Sequence, residues 1–162
     1  MRVGLLGGSF DPVHFGHLRA AQWALGAMAL DSVRLVPARQ SPFKSGSVAS
    51  GEDRLAMLTL AVEGNPALAV EDCELRRDPP SYTVDTLRAL VAREPDVRFV
   101  WIVGSDAAKD IDKWREVGEI RRMPSVCMSA GWIRAPNAME ASSASFERAS
   151  NPSTSAVGSA SA

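Results

Sequence analysis

Hydrophobic residues in this chain come in short bursts, separated by longer stretches in which apolar and polar positions mix. Arg2-Val3-Gly4-Leu5-Leu6 is an apolar run closed by Gly7-Gly8, the pattern of a buried strand. Residues 17–28 carry Leu18, Ala21, Trp23, Leu25 and Met28 without a proline and predict a helix. Ser32-Val33-Arg34-Leu35-Val36 predicts a second strand, closed by Pro37, and a Ser/Gly-rich loop covers residues 38–51. Residues 52–62, with Leu55, Leu58 and Val62 at helical spacing, predict a helix, and Leu68-Ala69-Val70 predicts a third strand. Ser81-Tyr82-Thr83 can cap a helix whose apolar stripe is Val84, Leu87, Leu90 and Val91. Residues 97–103 read as a strand ended by Gly104, and residues 106–114 as a further helix.

Strand–helix alternation of this kind predicts an α/β domain, a Rossmann-like parallel sheet with helices on both faces. Ligands of such sheets bind at the carboxyl ends of the strands, near the point where the strand order reverses. Residues 7–17 and 104–106, each following a strand, are therefore the places to look for function.

Composition narrows the class. A length of 162 residues, 46% hydrophobic and 23% charged, suits one domain with a real core. Eighteen Lys+Arg against 19 Asp+Glu leave a net charge of −1, which argues against a nucleic-acid or anionic-membrane binder working by long-range attraction. Apolar runs such as residues 58–62 and 100–103 are too short to cross a bilayer, and the early glycines interrupt any signal-peptide stretch. Cys73 and Cys127 are far apart and make no CxxC, which fits a reduced, cytoplasmic setting.

The average conceals a break. Residues 124–162 hold 10 Ser and 9 Ala, no Leu and four charged side chains (Arg134, Glu140, Glu147, Arg148). Little apolar surface is left there to offset the entropy of ordering the backbone. The reading predicts an organised domain over residues 1–123, no strand after Met123, and a Ser/Ala-rich tail over 124–162 that is disordered or out of frame.

The chemistry concentrates in Gly7-Gly8-Ser9-Phe10-Asp11-Pro12-Val13-His14-Phe15-Gly16-His17-Leu18. No Gly-Lys-Ser/Thr follows, so this is not a Walker loop, and it lacks the GxGxxG spacing of a dinucleotide fold. It offers glycines that let backbone N–H groups approach a ligand between a strand and a helix start, an arrangement suited to phosphate. His14 and His17, the only two histidines, lie three apart at that helix mouth and face the same way. They can donate to phosphate oxygens and stabilise charge during phosphoryl-group transfer. A zinc site would need a third protein ligand that no histidine remains to supply, and Asp11, in a turn beside Pro12, is more simply a capping residue.

GGSFDPVHFGHL resembles the signature of the HxGH nucleotidyltransferases, which join a nucleotide to a phosphorylated partner and release pyrophosphate. Pro80-Ser81-Tyr82-Thr83-Val84-Asp85-Thr86-Leu87 resembles the PSYTxDTL block of the bacterial nicotinate-nucleotide adenylyltransferases. Trp101-Ile102-Val103-Gly104-Ser105-Asp106, with Lys113-Trp114 further on, resembles the GxD strand end and substrate-side tryptophan of the same group. The three motifs keep their order and spacing from residue 1 to about 122. The resemblance implies adenylyl transfer from ATP to nicotinate mononucleotide, giving deamido-NAD and pyrophosphate, with Mg2+ accompanying ATP. It implies that Gly8, Ser9 and Phe10, with His14 and His17, hold the ATP phosphates, and that Gly104 and Asp106 contact the nucleotide. It further implies that Lys44 reaches a phosphate, although Phe43 stands where the family has a histidine. Ser9, Lys44, Tyr82, Thr83, Thr86 and Asp106 would meet the mononucleotide, with Trp114 stacked on its pyridine ring. No metal is expected to be held by protein ligands alone.

The resemblance stops near residue 122. Family members continue with another strand and later an ISSTxIR-like motif that contacts ATP. Here Ala144 stands in place of the threonine and Arg148 falls one place late, so residues 141–148 are not that motif. Two alternatives stay open beside nicotinate-nucleotide adenylyl transfer: phosphopantetheine adenylyltransferase, which shares the HxGH core, and a catalytically impaired nucleotide-binding remnant.

Overall fold

A computed structural model describes residues 1–40, 48–104, 108–123 and 125–130. The chain runs β1 (Arg2–Gly8), α1 (Phe15–Ala27), β2 (Ser32–Pro37), α2 (Gly51–Val62), β3 (Leu68–Val70), α3 (Thr83–Arg93) and β4 (Arg98–Val103). A 3-10 turn at Ile111–Lys113, a short helix α4 (Val117–Ile120) and β5 (Val126–Ala130) follow. All strand pairs are parallel, in the order β3-β2-β1-β4-β5. The chain builds outward from β1 to β3, then crosses back to β4 and continues outward the other way. The strand order thus reverses between β1 and β4, and the crevice at their carboxyl ends is where such a sheet can admit a ligand.

Alternation along the strands divides the interior into two cores. Leu6, Val33, Leu35, Val100 and Ile102 point to one face and meet Ala21, Ala24 and Leu25 of α1 and Leu58 of α2. Val3, Leu5, Val36, Phe99, Trp101 and Val103 point to the other and meet Val84, Leu87 and Leu90 of α3 and Ile120 of α4. Because both faces of β4 are covered, five of its six residues are buried, which is why it reads in sequence as an unbroken apolar run.

The element pattern matches the sequence reading with instructive differences. Ser50 caps α2, its hydroxyl accepting the Asp53 N–H at 3.0 Å. Tyr82, not Ser81, precedes α3; the Ser81 hydroxyl instead accepts the Arg39 N–H at 3.0 Å, tying the segment before α3 to the end of β2. Within the helix expected over 106–114, the described residues include a 3-10 turn at Ile111–Lys113. The short helix α4 was not anticipated, because four residues carry no periodicity.

One expectation is corrected outright. The chain after Met123 does form a strand, β5, which pairs with β4 from Phe99↔Val126 to Val103↔Ala130. An edge strand is held by backbone hydrogen bonds to its neighbour, so its sparse aliphatic content did not preclude it. Residues 131–162, the bulk of the expected tail, lie outside the described residues. No helix among the described residues is long and apolar enough to cross a membrane.

Candidate active site

The carboxyl end of β1 is shaped by close packing. A Cβ on Gly7 would sit 2.9 Å from the indole of Trp101, and one on Gly8 would sit 3.1 Å from the ring of Phe10. The two glycines therefore admit large rings from both faces against the strand backbone. Phe10 itself is buried and adopts a left-handed φ of 48°. Its ring meets the His17 imidazole edge-on, with centroids 4.9 Å apart.

Asp11 does not cap α1, as its position beside Pro12 suggested. Its carboxylate accepts the Val48 N–H at 2.5 Å and the Ala49 N–H at 3.1 Å. It thereby fastens the glycine turn to the residues that lead into α2.

His14 is the N-cap of α1, and His17 closes the first turn. The His14 N–H donates to His17 Nδ1 at 3.3 Å, while the His17 N–H donates to the His14 carbonyl at 2.9 Å. With Nδ1 accepting, a neutral His17 carries its proton on Nε2. The two imidazoles stack, with centroids 3.8 Å apart and planes 26° from parallel. Gly16 makes this possible, because a Cβ there would lie 3.0 Å from the His14 ring. Two imidazoles at the positive end of a 13-residue helix form a place for an anion.

The PSYT segment reaches the same edge of the sheet. The Ser81 N–H donates to the Gln40 carbonyl at 3.0 Å, and Arg39 Nη1 donates to the Leu75 and Arg77 carbonyls at 3.2 and 3.3 Å. Residues 75–81 thus dock on the chain leaving β2, whose carboxyl end lies beside that of β1 through the Gly8↔Pro37 pair. Thr86 is fully buried. Its hydroxyl donates to Glu74 Oε1 at 2.6 Å and accepts from Arg77 Nη2 at 2.8 Å, so its visible work is to brace the segment. Burial raises the Glu74 carboxyl above its ordinary range. Tyr82 lies beneath the Arg115 guanidinium, 4.8 Å from ring centroid to Cζ, and Tyr82 and Trp114 both pack partly buried against the second core. Thr83 opens α3, half-buried.

The structure therefore brings Gly8, Ser9, Phe10, His14 and His17 together at the end of β1, with Gly104 closing the neighbouring β4. Lys44 and Asp106 lie outside the described residues. Sequence reasoning missed one participant, Arg54 of α2, which is 1% exposed. Its Nη1 donates to the Ser9 and Ala38 carbonyls, both at 2.7 Å. The available signal was a charged residue four places before Leu58, in the phase of the helix that faces the core.

A doubly covered parallel sheet, with a glycine turn and paired imidazoles at its reversal point, defines an α/β protein of the doubly wound, switch-point kind. The chain belongs to the cytidylyltransferase-like family, whose model matches residues 5–149. It is 43% identical over 136 residues to a protein of Synechococcus sp. named as a probable nicotinate-nucleotide adenylyltransferase, covering 83% of this chain and 63% of that one. A relative of the same name in Opitutus terrae is 48% identical over 124 residues, covering 76% and 64% respectively. The chain thus spans just under two thirds of the length of these relatives. Among solved structures, the Plasmodium falciparum nicotinic acid mononucleotide adenylyltransferase complexed with NaAD superposes with a TM-score of 0.63 at 18% identity, over 80% of this chain and 75% of that one. That likeness establishes a shared fold.

Proposed function

We propose that this protein transfers the adenylyl group of ATP to nicotinate mononucleotide, forming deamido-NAD and releasing pyrophosphate. The carrying observation is the stacked His14/His17 pair at the sheet's reversal point, sharing one edge with the PSYT segment. The names of the relatives and the NaAD complex of the Plasmodium protein support the same substrate pair.

No protein nucleophile is required. A phosphate oxygen of the mononucleotide attacks the α-phosphorus of ATP in line, and the bond to the bridging oxygen breaks with its electron pair leaving on pyrophosphate. The protein's task is alignment and charge stabilisation, of which alignment alone can supply on the order of 7 kcal/mol. His14 and His17 donate to the phosphate oxygens, and N–H groups of Gly8, Ser9 and Phe10 line the turn beside them. In this reading Lys44 adds a cation, Gly104 and Asp106 meet the nucleotide, and Ser9, Tyr82 and Thr83 meet the mononucleotide. Thr86 acts through the segment it braces, and Trp114 stacks on the pyridine ring.

Among the described residues no three His, Cys, Asp or Glu side chains converge as metal ligands. In this reading Mg2+ would enter with the triphosphate, where it would supply neutralisation of phosphate charge. Cys73 and Cys127 stand as thiols, in keeping with a cytoplasmic enzyme. The catalytic unit includes residues 1–123 extended by β5.

The test is pyrophosphate release by the purified chain from ATP and nicotinate mononucleotide, with phosphopantetheine as the competing acceptor. Turnover with nicotinate mononucleotide alone is expected. His17→Ala should lower kcat about 100-fold or more while lowering the thermal midpoint by only a few degrees, the cost of the lost bond to the His14 N–H. Nucleotide binding without turnover would instead identify an impaired remnant, and equal loss of activity and stability in His17→Ala would make that histidine structural.

A further inference from the structure

Arg54 is the largest fully buried side chain of the molecule's described part, and it is a cation. Its Nη1 donates at 2.7 Å to both Ser9 O and Ala38 O, its Nη2 donates to Arg39 O at 3.4 Å, and its Nε is buried without a partner. Among the described residues no carboxylate pairs with it. A desolvated guanidinium held only by carbonyl dipoles is an expensive way to fill space, since an apolar side chain of similar volume avoids the desolvation cost. Something must recover that cost, and the three carbonyls indicate where. They belong to the two loops that leave the carboxyl ends of β1 and β2.

The Ser9 carbonyl shares its peptide unit with the Phe10 N–H. That peptide is trans, the only cis bonds among the described residues being Asp11–Pro12 and Pro79–Pro80. In a trans unit the C=O and N–H point in opposite directions, so drawing the Ser9 oxygen onto Arg54 turns the Phe10 N–H away from α2. A charge-assisted hydrogen bond on the carbonyl also polarises the unit and strengthens its N–H as a donor. Among the described residues the Phe10 N–H has no acceptor. We infer that Arg54 is a positioning residue for phosphate binding: it orients and polarises the Ser9–Phe10 peptide so that the Phe10 N–H meets a polyphosphate oxygen, and it lends the turn a buried positive charge that the polyphosphate offsets. This inference rests on the proposed use of the β1–α1 turn for polyphosphate, and not on which acceptor receives the adenylyl group.

The experiment is a titration of the full chain, labelled with nitrogen-15, with inorganic pyrophosphate, following the Phe10 amide. The wild-type protein should show a saturable downfield shift of that resonance. Arg54→Met should keep the amide pattern outside residues 8–12 and 38–40, bind pyrophosphate about 10-fold or more weakly and lose the Phe10 shift, the loss expected of a charge-assisted hydrogen bond. Arg54→Lys keeps the charge but cannot span three carbonyls, so it should recover part of the affinity and little of the shift. Wild-type affinity in a folded Arg54→Met protein, or an unmoved Phe10 amide in the wild type, would overturn the inference. If Arg54→Met does not fold, Arg54→Lys decides by the same two criteria. Because pyrophosphate carries no nicotinate group, failure of turnover with nicotinate mononucleotide leaves this result standing.

Discussion

Glycine is used here where rings must approach backbone. Gly16 separates two histidines that stack, and Gly7 accepts the Trp101 indole against β1. Gly7→Ala would place a methyl 2.9 Å from that buried ring, so strand or indole must move. Destabilisation of about 1–3 kcal/mol is expected by urea unfolding. Gly26→Ala, exposed near the end of α1 with nothing within 4 Å of the added carbon, should instead stabilise by about 0.5–1 kcal/mol. At this scale the glycines and histidines were legible, because their spacing alone puts them at a strand end and a helix start. Arg54 was not, because its value lies in three carbonyls from residues 9, 38 and 39, brought to it only by folding.

Between elements, the end of α3 is fastened to β2 by charge. Arg34 grips Glu94 with two parallel bonds, Nη1–Oε1 at 2.7 Å and Nη2–Oε2 at 2.6 Å, and Arg93 pairs with the buried Glu71. The Arg34 hydrogen bond holds the Glu94 carboxyl at about 2, below its ordinary 4.5. A carboxyl lowered on folding stabilises the native state above its unfolded value and loses that contribution as pH falls toward the folded one. Glu94→Gln should therefore cost about 1 kcal/mol at pH 7, with the gap to wild type closing between pH 4.5 and pH 2 in pH-dependent unfolding. A gap independent of pH would assign the loss to packing. Long elements with strong periodicity, such as α3 and β4, were readable in advance. The failures were β5 and α4, whose existence depends on a neighbour rather than on their own composition: β5 on the free edge of β4, α4 on the core into which Ile120 is buried.

At the scale of the molecule, one sheet separates two cores. Ile102 belongs to the face covered by α1 and α2, and Ile120 to the face covered by α3 and α4. Ile102→Val and Ile120→Val should each cost about 1 kcal/mol and add to within about 0.5 kcal/mol in the double variant. A coupling above about 1 kcal/mol, measured by denaturant unfolding, would mean that the sheet transmits strain between its faces. By itself the sequence determined the α/β alternation, the parallel sheet and the glycine turn with its histidine pair. These follow from hydrophobic period and local backbone chemistry, which act over a few residues. Only the tertiary structure decided the reversal point between β1 and β4, the fifth strand, the bracing of Thr86 by Glu74 and Arg77, and the buried cation beneath the glycine turn. Each of these joins groups distant along the chain, and such pairings leave no mark in local pattern because the energy that selects them exists only once the sheet is assembled.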